Sequence, residues 1–200
     1  MQLVPKALPG SISYRRPVGL LGGSFSPPHL GHVHISEVAL KMFNLGQIYW
    51  VYAKQNPLKK VDPLNFAERV TKTKKLVKSP KIKLSSIELK NNFHYSFQVL
   101  KFLQQRNRHI KFIWVMGEDN IIQFHLWKNW QWIARNVRIA VIARGKNRSL
   151  VNSSTFAQKY RAFRLKSSQS VQLQFFKPPV WCIADSKKVN LSSTDLRLND

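Results

Sequence analysis

The stretch GLLGGSFSPPHLGH, residues 19–32, joins an apolar run to two glycines and then to two histidines three positions apart. Gly22 and Gly23 directly follow the first predicted strand, where a main chain without Cβ atoms lets a ligand approach closely. His29 and His32 lie at or just before the start of a predicted helix, whose free N–H groups and positive dipole end favour phosphate. The stretch therefore predicts a phosphate-binding turn between a strand and a helix.

Other kinds of site share parts of this stretch. A Walker loop ends in Gly-Lys-Ser/Thr, and a dinucleotide-binding fingerprint needs a third glycine that opens the helix; neither is present. Two histidines with no carboxylate or cysteine beside them make a poor zinc site. His34 lies outside the H-x-G-H spacing, so we expect it to be a surface residue. The residues therefore favour phosphate binding.

Apolar runs rich in branched and aromatic residues alternate along the chain with stretches at helical spacing. The predicted strands are residues 18–21, 48–53, 82–87, 110–116, 137–143 and 180–183. Helical spacing is found at 35–42 and 97–103, and a further helix is predicted around 156–165 within the segment 146–170. This alternation predicts an α/β fold with a Rossmann-like, doubly wound parallel sheet. In such sheets ligands bind beyond the carboxyl ends of the strands.

Length and composition indicate one domain. Two hundred residues, 44% of them hydrophobic, suffice for a single well-filled core, which we assign to residues 17–200. Prolines and a glycine interrupt residues 1–16 before any signal-peptide core could form, so we expect a flexible leader there. The single cysteine, Cys182, excludes an internal disulfide and favours a reducing cytoplasm. The apolar runs all fall short of the roughly 20 residues that span a membrane, so no membrane partner is expected.

The charge of the chain is strongly positive, since 33 lysines and arginines against 9 acidic residues give a formal net charge of +24. Such a surface attracts polyanions of any kind. One interpretation is a non-catalytic nucleic-acid-binding module, and the other is an enzyme with phosphorylated substrates. Because the lysines are scattered along the chain and not gathered into one tail, we favour the enzyme and expect no specific nucleic-acid partner.

Two signatures at opposite ends of the chain resemble those of a known superfamily. GGSFSPPHLGH, residues 22–32, resembles the motif of the H-x-G-H nucleotidyltransferases, and its full form is close to that of bacterial nicotinate mononucleotide adenylyltransferases. The superfamily's second signature, I-S-S-T-x-I-R, is similar to LSSTDLR at residues 191–197. The segment NSSTFAQ at 152–158 also contains Ser-Ser-Thr but lacks the arginine. The second signature is therefore assigned to the copy near the C-terminus.

Three shorter segments also resemble the nicotinate branch: NPLKK at 56–60, MGEDN at 116–120 and FHLWKNW at 124–130. Other positions depart from it. The family usually has Thr-Tyr-Thr where this chain has His94, Tyr95 and Ser96, and often Arg-Pro-Gly where it has Arg144 and Gly145. The family usually continues beyond the second signature with another helical segment, whereas the sequence here ends at Asp200. We therefore expect Arg197, the arginine of that signature, to be less firmly held.

The resemblance implies a nucleotidyltransferase that moves AMP from ATP to nicotinate mononucleotide, with Mg²⁺ held by ATP phosphates and water and not by side chains. It assigns catalysis to His29, His32 and Arg197. It assigns ATP binding to Gly22, Gly23, Ser24, Phe25, Gly31, Ser192, Ser193 and Thr194. It assigns nicotinate mononucleotide binding to Lys59, Tyr95, Ser96, Gly117, Asp119, Trp127 and Arg144. Nicotinamide mononucleotide and pantetheine phosphate stay open as acceptors, because related adenylyltransferases share the H-x-G-H motif.

Overall fold

The computed structural model describes residues 16–54, 64–143 and 148–185. Its strands are β1 (Val18–Gly23), β2 (Gln47–Tyr52), β3 (Ile82–Ser85), β4 (Phe112–Gly117), β5 (Arg138–Ala143), β6 (Arg164–Leu165) and β7 (Trp181–Asp185). Its helices are α1 (Leu30–Met42), α2 (Phe66–Leu76), α3 (Ile87–Lys90), α4 (Ser96–Arg106), α5 (Glu118–Ile122), α6 (Trp130–Asn136), α7 (Arg148–Ser153) and α8 (Thr155–Lys159). None of the helices in these described ranges combines the length and the apolar character needed to cross a bilayer.

The strands form one sheet in the order β3-β2-β1-β4-β5-β7-β6, and every pair of neighbours is parallel. From β1 the chain builds outward to β2 and β3, then returns to the other side of β1 and continues through β4. The boundary between β1 and β4 is therefore the topological switch point, where open α/β sheets bind their ligands. The predicted doubly wound parallel sheet is confirmed.

Helices cover both faces of the sheet, and consecutive side chains of the central strands enter different cores. Leu20 packs in one core with Trp114 and with Leu100 of α4. Leu21 packs in the other with Ile35 of α1 and with Trp50. Because neither face meets water, the central strands carry apolar residues on both sides, and all of β4 is buried.

Two predicted elements end earlier than their apolar patterns suggest. The strand predicted at 82–87 ends at Ser85, because the main chain turns into α3 at the next residues. The helix predicted around 156–165 ends at Lys159. Arg164 and Leu165 leave the helical conformation and pair as β6 with Trp181 and Cys182 of β7. A two-residue strand carries no periodicity, so only this long-range pairing reveals it.

Gly22 generates a stability prediction, because it packs directly against the indole of Trp114. A Cβ at Gly22 would lie 2.5 Å from the nearest ring carbon of Trp114. We expect Gly22→Ala to lower the free energy of unfolding by about 1–3 kcal/mol through overpacking, measured by urea denaturation. Gly46→Ala is the control, because its Cβ would meet Arg16 at 3.4 Å, an ordinary van der Waals contact. Equal stability of the two variants would contradict this account of Gly22.

Candidate active site

The turn after β1 lies at the switch point of the sheet. The main chain leaves β1 at Gly23, passes through residues 24–29 and enters α1 at Leu30. His29 is the N-cap residue of α1, with an extended backbone, and His32 is the third residue of the helix. The prediction that both histidines lie at a helix start beyond the first strand is confirmed.

The two imidazoles are held by main-chain hydrogen bonds and lie against each other. Nδ1 of His29 accepts the N–H of Gly31 at 3.1 Å, and Nδ1 of His32 accepts the N–H of His29 at 3.3 Å. The ring centroids are 3.8 Å apart. Because Nδ1 is the acceptor in both rings, the neutral imidazoles carry their proton on Nε2. Each ring therefore carries its N–H on Nε2, a group of the kind that a phosphate oxygen accepts.

An aromatic wall fixes the position of His32. The ring of Phe25 stacks on Trp50, with ring centroids 4.6 Å apart and an interplanar angle of 7°. It also packs edge-on with the His32 ring, with ring centroids 4.9 Å apart. Trp50 Nε1 donates to the Ser36 hydroxyl, which in turn donates to the main-chain carbonyl of His32. Phe25 is 1% exposed as a whole residue, so its ring packs inside the protein and is not accessible to ATP in this structure. The ring itself supports the histidine.

The glycines that end β1 make room for the chain's own aromatic rings. The Cβ position of Gly22 is filled by Trp114, and a Cβ at Gly23 would lie 3.1 Å from the ring of Phe25. On the Cβ side of both glycines the space is therefore taken by aromatic rings of the chain, and the close approach of a ligand to their main chain stays a prediction. Packing of buried aromatics is sufficient to require glycine at Gly22.

Three residues that were predicted to bind the acceptor lie at the end of β4 or in the segment that follows it. Gly117 is the last residue of β4, and Asp119 is exposed in the first turn of α5. Trp127 is half-buried and packs edge-on against Trp114, with ring centroids 6.3 Å apart. Because Trp114 also touches Gly22, a single buried indole joins the histidine side of the site to the acceptor side.

Tyr95 and Ser96 lie at the start of α4, after β3 and α3. The Tyr95 side chain is 39% exposed, and its ring stacks on Phe97 at 6.2 Å. The main-chain N–H groups of His94 and Tyr95 both donate to Oε1 of Gln98, which fixes the loop that departs from the family pattern. The loop is therefore shaped by its own cap and presents an aromatic side chain to solvent.

Several predicted site residues lie outside the described residues: Lys59, Arg144, Ser192, Ser193, Thr194 and Arg197. The other Ser-Ser-Thr copy, at 152–158, is described. There the Ser154 hydroxyl accepts the N–H of Ala157 and donates to the Val151 carbonyl, so this copy caps α8.

His34 differs from its prediction. It is half-buried, and its Nε2 atom is enclosed with no hydrogen-bond partner in the structure. The expectation of a surface residue is therefore wrong. At helical spacing His34 lies one turn from Gly31, which is buried, and from Val38, which packs against the core, so its side chain follows that face of α1.

Two buried charged residues near the turn were not predicted. Arg69 of α2 is 2% exposed, and its Nη1 donates to the carbonyls of Ser24 and Ala53. Glu88 of α3 is 3% exposed and accepts the main-chain N–H of Lys54. Both lie in segments rich in charged residues, where no sequence signal separates a buried charge from a solvated one. Only the pairing of the segments in space identifies them.

Comparisons with known proteins agree with this geometry. A family model described as Cytidylyltransferase-like matches residues 20–199. A relative from Ruegeria sp. (strain TM1040), named "Probable nicotinate-nucleotide adenylyltransferase", is 39% identical over 90% of this chain and 95% of its own. A relative of the same name from Agrobacterium fabrum (strain C58 / ATCC 33970) is 38% identical over 91% of this chain and 98% of its own.

The fold is shared with a solved structure of Plasmodium falciparum nicotinic acid mononucleotide adenylyltransferase complexed with APC, with a TM-score of 0.66 at 16% identity. That match covers 92% of this chain and 83% of the other. The family model and these relatives identify the chain as a nucleotidyltransferase. The chain belongs to the cytidylyltransferase-like family and, within it, to the nicotinate-nucleotide adenylyltransferases.

Glu88 generates a prediction for the pH dependence of stability. Burial raises the pKa of its carboxyl group from 4.5 to about 7, although the Lys54 N–H and the Arg69 charge oppose the rise. The folded protein therefore holds this proton more tightly than the unfolded chain. The stabilising contribution is complete below the unfolded pKa and is lost as the pH rises through the folded pKa.

We expect Glu88→Gln, which cannot titrate, to gain stability relative to the wild type as the pH rises from about 4 to about 8, by up to about 3 kcal/mol. Urea denaturation at a series of pH values measures this difference. Glu68→Gln, at an exposed position of α2, is the matched control for removing one carboxylate. A Glu88→Gln difference that stays constant over the pH series would refute the assignment.

Proposed function

We propose that the chain transfers AMP from ATP to nicotinate mononucleotide, giving nicotinate adenine dinucleotide and pyrophosphate. The observation that carries this proposal is the histidine pair, whose Nδ1 atoms are occupied by main-chain N–H groups at a helix start on the switch point of the sheet. The names of the relatives supply the substrates. A solved structure of Plasmodium falciparum nicotinic acid mononucleotide adenylyltransferase complexed with NaAD has the same fold, with a TM-score of 0.64.

The reaction needs positioning and charge stabilisation and no covalent intermediate. A phosphate oxygen of nicotinate mononucleotide attacks the α-phosphorus of ATP, and the bond to the bridging oxygen of the leaving pyrophosphate breaks. Negative charge builds on the oxygens around the α-phosphorus and on the leaving group. The Nε2–H groups of His29 and His32 donate to ATP phosphate oxygens, and the positive end of the α1 dipole favours the negative charge of the phosphates. Arg197 and Thr194 act on the leaving side.

The remaining assignments follow the same division. Ser24 and Gly31 border the ATP phosphates through their main chain, together with Ser192 and Ser193. The acceptor lies over the end of β4, where Asp119 binds sugar hydroxyls and Trp127 and Tyr95 offer ring surfaces. Lys59 and Arg144 place positive charge beside the acceptor, which is an anion. Residues 17–200 form the catalytic domain, and a cytoplasmic location stays a prediction.

Mg²⁺ fits this site as an ion brought by the nucleotide. It prefers oxygen ligands, whereas the turn offers imidazoles whose Nδ1 atoms already accept main-chain N–H groups. Within the described ranges, no group of three or more His, Cys, Asp or Glu side chains could hold a metal. Phosphate oxygens and water would therefore hold the ion, which when bound neutralises charge on the phosphates.

An acceptor panel tests the proposed reaction. Nicotinate mononucleotide, nicotinamide mononucleotide and pantetheine phosphate are each supplied with ATP and Mg²⁺, and pyrophosphate release is measured. We expect the highest kcat/KM with nicotinate mononucleotide, because a strongly basic protein favours the carboxylate over the amide. A higher value with either of the other acceptors would replace the proposed substrate. Absence of turnover with all three would overturn the proposed reaction.

The histidine pair is tested by His32→Ala. We expect kcat to fall by about 10²-fold or more, because one preorganised donor to the phosphates is removed. Folding should be largely intact, since loss of the capping hydrogen bond from the His29 N–H costs only about 1 kcal/mol. His109→Ala is the matched control, because His109 is exposed before β4 at the opposite edge of the sheet. Near-normal turnover in His32→Ala would remove the histidine from the catalytic site.

A further inference from the structure

Arg69 connects three segments at the carboxyl edge of the sheet. It lies in the first half of α2, and its Nη1 atom donates to the carbonyl of Ser24 at 2.8 Å and to the carbonyl of Ala53 at 2.9 Å. Ser24 is the first residue after β1, and Ala53 is the first residue after β2. One guanidinium nitrogen therefore ties the turn that carries the histidines to the end of the neighbouring strand.

The surroundings hold Arg69 firmly in place. Its guanidinium carbon lies 5.7 Å from the ring centroids of both Tyr52 and Phe66. The Tyr52 hydroxyl donates to the Thr73 hydroxyl at 2.6 Å, and the Thr73 hydroxyl donates to the main-chain carbonyl of Arg69 at 2.8 Å. The helix that carries Arg69 is thereby fixed to β2 by side chains one turn further along. The guanidinium therefore has a fixed position from which it holds the Ser24 carbonyl.

Burial of this cation has a cost that needs an explanation. Desolvation lowers the pKa of the Arg69 guanidinium, and the negative charges that Tyr52 and Glu88 carry when ionised would oppose that effect. Its Nε atom is enclosed without a hydrogen-bond partner in the structure. A buried charge whose donors are only partly satisfied destabilises a fold. An apolar side chain of similar size would avoid that cost, so a role other than packing accounts for the arginine.

The path from Arg69 to the imidazoles is short. Ser24 precedes Phe25, whose φ of 48° lies in the left-handed region that a residue with a side chain rarely adopts. On the other side of Phe25, the Ser26 hydroxyl accepts the N–H of Leu64 at 2.8 Å. Arg69 and Leu64 therefore hold the residues on either side of the strained Phe25. The Phe25 ring, so held, contacts the His32 ring.

We propose that Arg69 is a positioning residue for the nucleotidyl transfer: by binding the Ser24 carbonyl against the end of β2, it sets the Phe25 ring and through it the His32 imidazole. The kinetic part of this inference rests on the proposed function. Arg69 touches no reacting atom. Its effect is to keep the Nε2–H donor of His32 at one position before ATP binds.

Two substitutions at Arg69 test the inference, with one control. Arg69→Met removes the charge and both carbonyl contacts, and Arg69→Lys keeps a charge on a shorter side chain. Arg138→Met is the matched control: Arg138 begins β5 at the amino edge of the sheet, burial lowers its pKa, and its Nε donates to the Phe176 carbonyl at 2.9 Å. All variants are studied at temperatures where circular dichroism shows them folded.

Kinetics with ATP and the best acceptor give the first readout. We expect Arg69→Met to lower kcat by about 10-fold to 10²-fold, with a smaller change in the KM for ATP, because a misplaced donor weakens the transition state more than the bound substrate. Arg69→Lys should recover part of the loss. Arg138→Met should keep wild-type kcat. An equal loss of kcat in the Arg69→Met and Arg138→Met variants would overturn the inference.

Histidine ring NMR gives a second readout that needs no activity. The His32 signals are assigned from their loss in His32→Ala, and we expect them to shift in Arg69→Met because the Phe25 ring moves relative to the imidazole. They should stay in place in Arg138→Met. Unchanged His32 signals in folded Arg69→Met would refute the positioning role. A wild type inactive with every acceptor would instead refute the proposed reaction, and the NMR comparison would still decide the role of Arg69.

Discussion

A main-chain N–H group donates to Nδ1 of each histidine in the turn, and much of the site depends on these two hydrogen bonds. They cap α1, so the same contacts that start a helix also set which imidazole nitrogen carries the proton. An imidazole that rotated by half a turn would lose the cap and would move the N–H donor from Nε2 to another position. The chemistry of the site and the local stability of α1 are therefore coupled.

Much of the fold could be read from the sequence, because it depends on local patterns. The apolar runs of the central strands are buried on both faces, which leaves them continuous and easy to recognise. The histidines at the start of α1 were also predictable, since a short motif followed by helical spacing places them there. What these patterns predict is where the chain turns and at which edge of the sheet the turn lies.

The parts that could not be predicted depend on contacts between segments distant in the chain. Arg69 and the carbonyl of Ser24 are 45 positions apart, and nothing in FAERVTKTKKL marks its arginine as buried. Gly22 is required by the packing of Trp114, a residue from another strand. β6 exists only because β7 lies beside it. In each case the decisive partner lies far along the sequence, where periodicity carries no information.

Parallel strands impose a further constraint on an enzyme that binds anions at their carboxyl ends. Main-chain carbonyls that leave the ladder at this edge carry partial negative charge, which would repel phosphates unless a donor satisfies them. The N–H of Ala53 donates to the Gly23 carbonyl, and Arg69 satisfies the carbonyls of Ser24 and Ala53. A single buried guanidinium therefore satisfies carbonyls at the ends of two strands. It closes the hydrogen bonds of the strand ends, and its positive charge favours an anion at this edge of the sheet.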